Sequence, residues 1–127
     1  MELKYFDLSE FKCKCGKCNG YPPNGMSRIL LLALDELREK IGRPVYVSSG
    51  YRCEEWNRAN NGVSNSTHTL GCACDIYVEG MSVYELAKIC KEIFDGVGEY
   101  YQQGFVHVDM RSNGAETGYY QWDDENY

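Results

Sequence analysis

At 127 residues the chain fits one domain, and it is long enough to bury a core without help from disulfides. A formal net charge of −6 and an isoelectric point of about 4.9 argue against nucleic acid as the main partner and against electrostatic attraction to an anionic membrane. The 43% apolar and 25% charged residues are ordinary for a globular protein, and no apolar run reaches the length needed to span a bilayer.

Residues Met1–Asp7 carry neither a basic region nor an apolar stretch, so they do not read as a signal peptide. The expectation is synthesis in the cytoplasm, with any action outside the cell depending on another delivery route. Phe6–Phe11 leads into Cys13, Cys15 and Cys18. This cysteine-containing segment, residues 1–25, is expected to form loops packed on the domain, closed by the breaker cluster Asn19–Gly25. A helix follows, capped by Ser27, with Leu30, Leu31, Leu34, Leu37 and Ile41 on one face and Gly42 as its stop. Val45–Ser48 reads as a strand. Cys53–Ala59 reads as a short helix ended by Asn60–Gly62, and residues 63–67 as a polar loop. Ala73–Val78 reads as a strand. Ser82 and Glu85 form a capping box for a second main helix, with Val83, Leu86, Ala87, Cys90, Ile93 and Phe94 on its inner face. Gly96–Tyr101 and Phe105–Met110 read as paired strands, Gly118–Trp122 as an edge strand, and residues 123–127 as a frayed acidic tail. The sum is a single α+β domain: a mostly antiparallel sheet with two main helices. Eleven tyrosines and two tryptophans suit half-buried sheet faces and clefts for polar ligands.

The chain has only two histidines, His68 and His107. His68 precedes Asp75, which lies in a predicted strand. Strand alternation puts Phe105, His107 and Asp109 on one face and Val106, Val108 and Met110 on the other. A histidine and an aspartate in an otherwise apolar strand are costly to bury unless paired or ligated. Two histidines and a carboxylate match the three protein ligands of a catalytic zinc, which keeps one position open.

Seven cysteines is an odd number, so at least one is free, metal-bound or paired between chains. Cys13, Cys15 and Cys18 look like part of a second metal site. Cys53, Cys72 or Cys90 could complete it; the alternatives are a disulfide within the triplet or reduced thiols. Cys72 and Cys74 are expected to share a face turned away from Asp75, and with Cys90 to serve as small core residues.

The blocks Ser49-Gly50-Tyr51-Arg52, Ser66-Thr67-His68 through Cys74-Asp75-Ile76, Gly96-Val97-Gly98 and Phe105-Val106-His107-Val108-Asp109-Met110-Arg111, in this order and spacing, resemble zinc D-Ala-D-Ala carboxypeptidases and related peptidoglycan endopeptidases. The resemblance runs from about Phe6 to Trp122 and lies nearest the short phage and bacterial peptidases, some of which carry similar N-terminal cysteines. It implies the fold shared with the zinc domain of hedgehog proteins, Zn2+ on His68, Asp75 and His107, and cleavage of peptide bonds beside D-amino acids in peptidoglycan stem peptides. It further implies an electrophilic role for Arg52; substrate contacts at Ser66 and Tyr51 and a monomer are also expected, and the lack of a signal peptide fits delivery to the cell wall by phage lysis or tail machinery or another route. One feature departs from the family. Many members place a carboxylate three residues before the second histidine ligand, where this chain has Gly104. Asp109 and Glu99 are the candidate replacements, and Asp109 could instead orient a histidine ligand. Two other readings follow from this sequence: a catalytically inactive zinc domain used for binding, and a nucleic-acid zinc module suggested only by the cysteine triplet.

Overall fold

The computed structural model describes residues 3–59 and 66–123. The expected stop at Asn60–Gly62, residues 63–65 of the polar loop and residues 124–127 of the tail lie outside the described residues. The architecture is the expected α+β domain, with strands β1 (Tyr46–Ser49), β2 (Ala73–Tyr77), β3 (Gly96–Tyr100), β4 (Phe105–Asp109) and β5 (Tyr120–Asp123), and helices α1 (Arg28–Ile41), α2 (Glu54–Ala59) and α3 (Val83–Cys90). The strands form one sheet in the order β1-β2-β4-β3-β5. All neighbours are antiparallel except β5, which runs parallel to β3.

The helices start and stop where local chemistry dictates. Ser27 Oγ accepts the Leu30 N–H at 3.2 Å, and Gly42, at φ 75°, closes α1 through its N–H to the Arg38 carbonyl. Leu30, Leu34 and Leu37 are fully buried, as the helical spacing predicts. Ser82 caps α3 by accepting the Glu85 N–H at 3.1 Å, but Glu85 takes its bond from the Ser82 hydroxyl rather than the backbone, so the reciprocal half of the expected box differs. The regular helix ends at Cys90. Ile93 and Phe94 belong to the tightened turn that follows, where both N–H groups reach the Cys90 carbonyl, and Phe94 is fully buried there. A complete capping box forms where none was anticipated: Asp7 and Glu10 close a 3-10 turn over Leu8–Phe11 that plants Phe11 in the core.

α1 and α3 share one hydrophobic core with the inward sheet face, made of Cys74, Ile76, Val97, Val106 and Val108. The pleat sends the alternate residues to the other face. Across β2 and β4, Asp75 lies opposite His107 and Ala73 opposite Asp109; across β4 and β3, His107 lies opposite Gly98. A bulge between Val47 and Ser49 brings Ser49 opposite Asp75, so the end of β1 also reaches this face.

Three expectations change. Asp123, assigned to the frayed tail, is paired in β5 opposite Glu99. Gly118 and Tyr119 precede β5 rather than belonging to it; the Gly118 N–H binds the Phe94 carbonyl and the Tyr120 N–H binds that of Asp95. Cys72 lies before β2, half-buried, so of the three thiols expected in the core Cys74 and Cys90 are found there.

Candidate metal centre

Three side chains from three places in the chain converge on the sheet face away from α1 and α3. His68 arrives on a turn before β2, Asp75 from the middle of β2 and His107 from the middle of β4. His68 Nε2 and His107 Nδ1 each lie 3.2 Å from Asp75 Oδ1, and 3.3 Å from each other. A tetrahedral ion with bonds of about 2.0–2.1 Å holds its donor atoms about 3.3–3.4 Å apart, so this triangle has the size of one face of a zinc tetrahedron.

The opposite nitrogens fix the tautomers. His68 Nδ1 lies 2.8 Å from the Gly50 carbonyl oxygen, an acceptor only, so that nitrogen carries the proton and Nε2 presents a lone pair. His107 Nε2 lies 2.8 Å from Asp109 Oδ2, which likewise leaves its Nδ1 bare toward Asp75. Three acceptor atoms thus face one another in a buried place. That is unfavourable by itself and is resolved by a cation, so the donor set fits zinc. Burial alone would raise the Asp75 carboxyl, but when no cation is bound a proton taken up by a facing His107 or His68 nitrogen hydrogen-bonds to it and holds it well below the usual carboxylate range. Burial disfavours the charged form of His107, yet Asp109 and Asp75 carry its pKa upward.

Around the triangle each predicted residue has a definite place. Asp109 is fully buried. It accepts from His107 Nε2, from the Arg111 backbone at 3.2 Å, and from Arg111 Nε and Nη2 at 2.9 and 2.7 Å. Although burial would raise its carboxyl, Arg111 and His107 keep it well below the ordinary range. Both its oxygens are engaged, Oδ2 by His107 and Arg111 and Oδ1 by Arg111. Glu99 sits on the opposite sheet face: it lies across from Val106, receives Lys91 Nζ at 3.0 Å and accepts the Tyr101 hydroxyl at 2.5 Å. Gly104 lies in the β3–β4 turn at φ 79°.

Arg52 is brought to the triangle. Its Nη2 lies 3.3 Å from Asp75 Oδ2, its Nε donates to Ser49 Oγ at 3.1 Å and its Nη1 to Asn57 Oδ1 at 3.5 Å. The guanidinium side chain is 19% exposed, and its fork of donors is not used up by these partners. Ser66 is buried in the turn that carries His68: its hydroxyl accepts the His68 N–H at 3.2 Å and its carbonyl accepts the Thr69 hydroxyl at 2.6 Å. Tyr51 packs against the hydrophobic core, and its N–H binds the Phe11 carbonyl at 2.9 Å. Cys13, Cys15 and Cys18 lie together, and of the three candidate partners it is Cys53 that joins them.

An aromatic wall was not anticipated. The Trp122 ring lies 5.0 Å from the His107 ring, and its Nε1 donates to the Tyr100 hydroxyl at 2.9 Å. Arg111 lies over Tyr120 and Trp122, at 4.7 and 5.2 Å from their ring centres. Gly98, opposite His107, leaves the room: a Cβ there would stand 2.5 Å from the indole. The clue in the sequence was glycine at alternate positions of β3, Gly96 and Gly98, beside a strand with aromatics at alternate positions, Tyr120 and Trp122. Also unforeseen were Arg111 as partner of Asp109 and the Gly50 carbonyl as partner of His68.

Compared with known families, residues 4–109 match the family described as Peptidase M15. Among curated proteins, the chain is 34% identical over 73 residues to the peptidoglycan L,D-endopeptidase MepK of Escherichia coli (strain K12), covering 53% of this chain and 40% of that protein. The same figures hold for the proteins of that name from Escherichia coli O157:H7 and Shigella flexneri. The aligned chain therefore spans 40% of the length of these relatives.

Proposed function

The chain belongs to the peptidase M15 family, and on that premise we propose that it is a zinc metallopeptidase that hydrolyses peptide bonds beside D-amino acids in peptidoglycan. The observation that carries this is the buried triangle of His68 Nε2, Asp75 Oδ1 and His107 Nδ1, with sides of 3.2, 3.2 and 3.3 Å. The bond favoured is one between an L- and a D-residue of a stem or cross-link peptide, the type named for the relatives. Release of a terminal D-alanine by a carboxypeptidase is the narrower alternative.

His68, Asp75 and His107 would hold the zinc, which supplies a Lewis acid for the scissile carbonyl and lowers the pKa of a water molecule. The protein's own groups orient the ligands and position the peptide. The Gly50 carbonyl and Asp109 keep each imidazole's lone pair aimed inward. Arg52, with donors to spare beside Asp75, would bind the carbonyl oxygen as negative charge grows on it, or a peptide carboxylate. Trp122 and Tyr120 form an apolar wall for the peptide's alanine methyls and keep bulk water from the reacting bond. On this reading the site of action is the cell wall. Among the described residues no helix is long and apolar enough to cross a membrane.

Digestion of purified peptidoglycan, read by mass spectrometry of the released peptides, tests the proposal. New ends at a D-residue, lost in His107→Ala and on chelation, support it. A second reading, an inactive zinc domain that binds wall peptides, is favoured by Gly104 at the usual carboxylate position and by the full engagement of Asp109. Equal release of ends by wild type and His107→Ala, with wall binding retained, would decide for it.

A further inference from the structure

The cysteines that the peptidase reading leaves unused form a second cluster. Cys13, Cys15, Cys18 and Cys53 bring their four sulfurs within 4.8 Å of one another. Cys15 Sγ lies 3.4 Å from Cys18 Sγ and 3.8 Å from Cys53 Sγ, shared between two neighbours rather than paired with one. Tetrahedral zinc with Zn–S bonds of about 2.3 Å separates its sulfurs by about 3.8 Å. None of the seven cysteines is in a disulfide.

The backbone around the cluster is arranged for thiolates. The N–H groups of Lys17 and Cys18 both point at Cys15 Sγ at 3.3 Å, that of Gly20 at Cys18 Sγ at 3.3 Å, and that of Cys53 at Cys13 Sγ at 3.4 Å. The Cys13 N–H closes the loop on the Gly20 carbonyl at 2.8 Å. A neutral thiol is a weak acceptor that gains little from such donors, whereas a metal-bound thiolate gains a charge-assisted bond from each. Charge agrees. In a chain of net charge −6, Lys12, Lys14 and Lys17 interleave the cysteines, and no acidic residue falls between Phe11 and Leu34. Four thiolates around one Zn2+ leave two negative charges for those lysines to balance.

We propose that Cys13, Cys15, Cys18 and Cys53 bind a structural zinc ion that staples the N-terminal segment to the loop carrying Arg52. Cys53 follows Arg52 directly and lies three residues from Gly50, whose carbonyl orients His68. The two segments already meet closely. The Tyr51 N–H binds the Phe11 carbonyl at 2.9 Å, Lys14 Nζ reaches the Ser48 carbonyl, and a Cβ on Gly50 would stand 2.6 Å from the Phe11 backbone. The second zinc thus sits behind the catalytic loop, reacts with nothing, and fixes the position from which Gly50 and Arg52 act.

The test counts metals on the whole chain and involves no hydrolysis, so it stands or falls separately from the peptidase reading. Protein purified with zinc and reductant is expected to carry two zinc ions per chain, falling to one in His107→Ala and to one in Cys53→Ser. Cobalt-substituted wild type and His107→Ala should both show intense thiolate-to-cobalt charge transfer; Cys53→Ser should lose it, and Cys72→Ser should keep it. Wild type with a single zinc, lost in His107→Ala, and no thiolate band on cobalt would overturn the proposal. So would fewer than seven titratable thiols in protein denatured without reductant. The wild-type count and the His107→Ala spectrum decide the matter even if the cysteine variants fail to fold.

Discussion

Asp109→Asn tests whether the geometry around His107 governs the metal. Asp109 lies buried, with one oxygen between His107 Nε2 at 2.8 Å and Arg111 Nη2 at 2.7 Å, and the other accepting from Arg111 Nε at 2.9 Å. Asparagine keeps the shape but replaces one oxygen by an NH2 group. If that group faces His107, the imidazole must move its proton to Nδ1, the atom that points at the metal. If it faces Arg111, donor meets donor. Either way one charge-assisted bond is lost in a buried site, worth about 1.5–3 kcal/mol. Some of that loss falls on the free protein and some on the loaded one. Partners of ligating histidines commonly account for about 10–100-fold in metal affinity, or about 1.4–2.8 kcal/mol, the same range. Zinc affinity should therefore fall by about 10–100-fold, measured by competition with a fluorescent chelator, with the circular dichroism of the loaded protein unchanged. An affinity within about twofold of wild type, where the bond should cost at least tenfold, would show that Asp109 is not what sets the His107 tautomer.

Further outcomes are expected. Arg52→Lys keeps the charge but loses the planar fork that spans Ser49, Asn57 and Asp75; kcat should fall by about 10²–10³-fold with zinc content intact, as followed on peptidoglycan fragments with metal analysis in parallel. Gly98→Ala, whose Cβ would stand 2.5 Å from the Trp122 ring, should displace that ring, shift tryptophan emission to the red and weaken substrate binding while zinc stays bound. Leu34→Ala, at a fully buried position in α1, should lower stability by about 2–5 kcal/mol in urea unfolding. The Cys72 thiol is pushed up to about 11, first by burial and then by Asp109. Its alkylation, mapped by mass spectrometry, should be slow at pH 8 and rise about tenfold per pH unit as the thiolate fraction grows.

What could be read in advance divides along physical lines. Strand alternation is a local property, so the face shared by His107 and Asp109, and the core face of Val106 and Val108, were legible in β4. Leucine spacing and the caps at Ser27 and Gly42 likewise gave α1. The partner of the cysteine triplet was not legible. Cys53, Cys72 and Cys90 are equivalent as sequence, and long-range contacts, the Tyr51 N–H on the Phe11 carbonyl, Gly50 against the Phe11 backbone and Lys14 on the Ser48 carbonyl, place Cys53 there. Glu99 shows the same limit. Choosing it as a base needs its face, and its face depends on the β3–β4 register, which sets Gly98 opposite His107 and turns Glu99 toward Lys91. The parallel course of β5 depends on long-range contacts, above all the Asp95 carboxylate, which accepts the Ser112 and Gly114 N–H groups at 2.8 and 3.0 Å and steers the connection back beside β3. For Arg52, the family motif pointed to the site, but the ion pair with Asp75 is a property of the bulge that swings Ser49 opposite that residue.

The wall of Trp122 and Tyr120 is contributed by the last strand, after every metal ligand has already appeared in the chain. A ribosome would thus finish the metal-holding part before it makes the surface that meets the substrate's side chains. The two parts are also largely separate along the chain: β5, residues 120–123, is an edge strand containing none of the three candidate ligands, and Arg111, which holds Asp109, lies before it. Evolution, or an engineer, can exchange that edge strand to change which peptide fits while Arg111 and Asp109 stay in place behind His107.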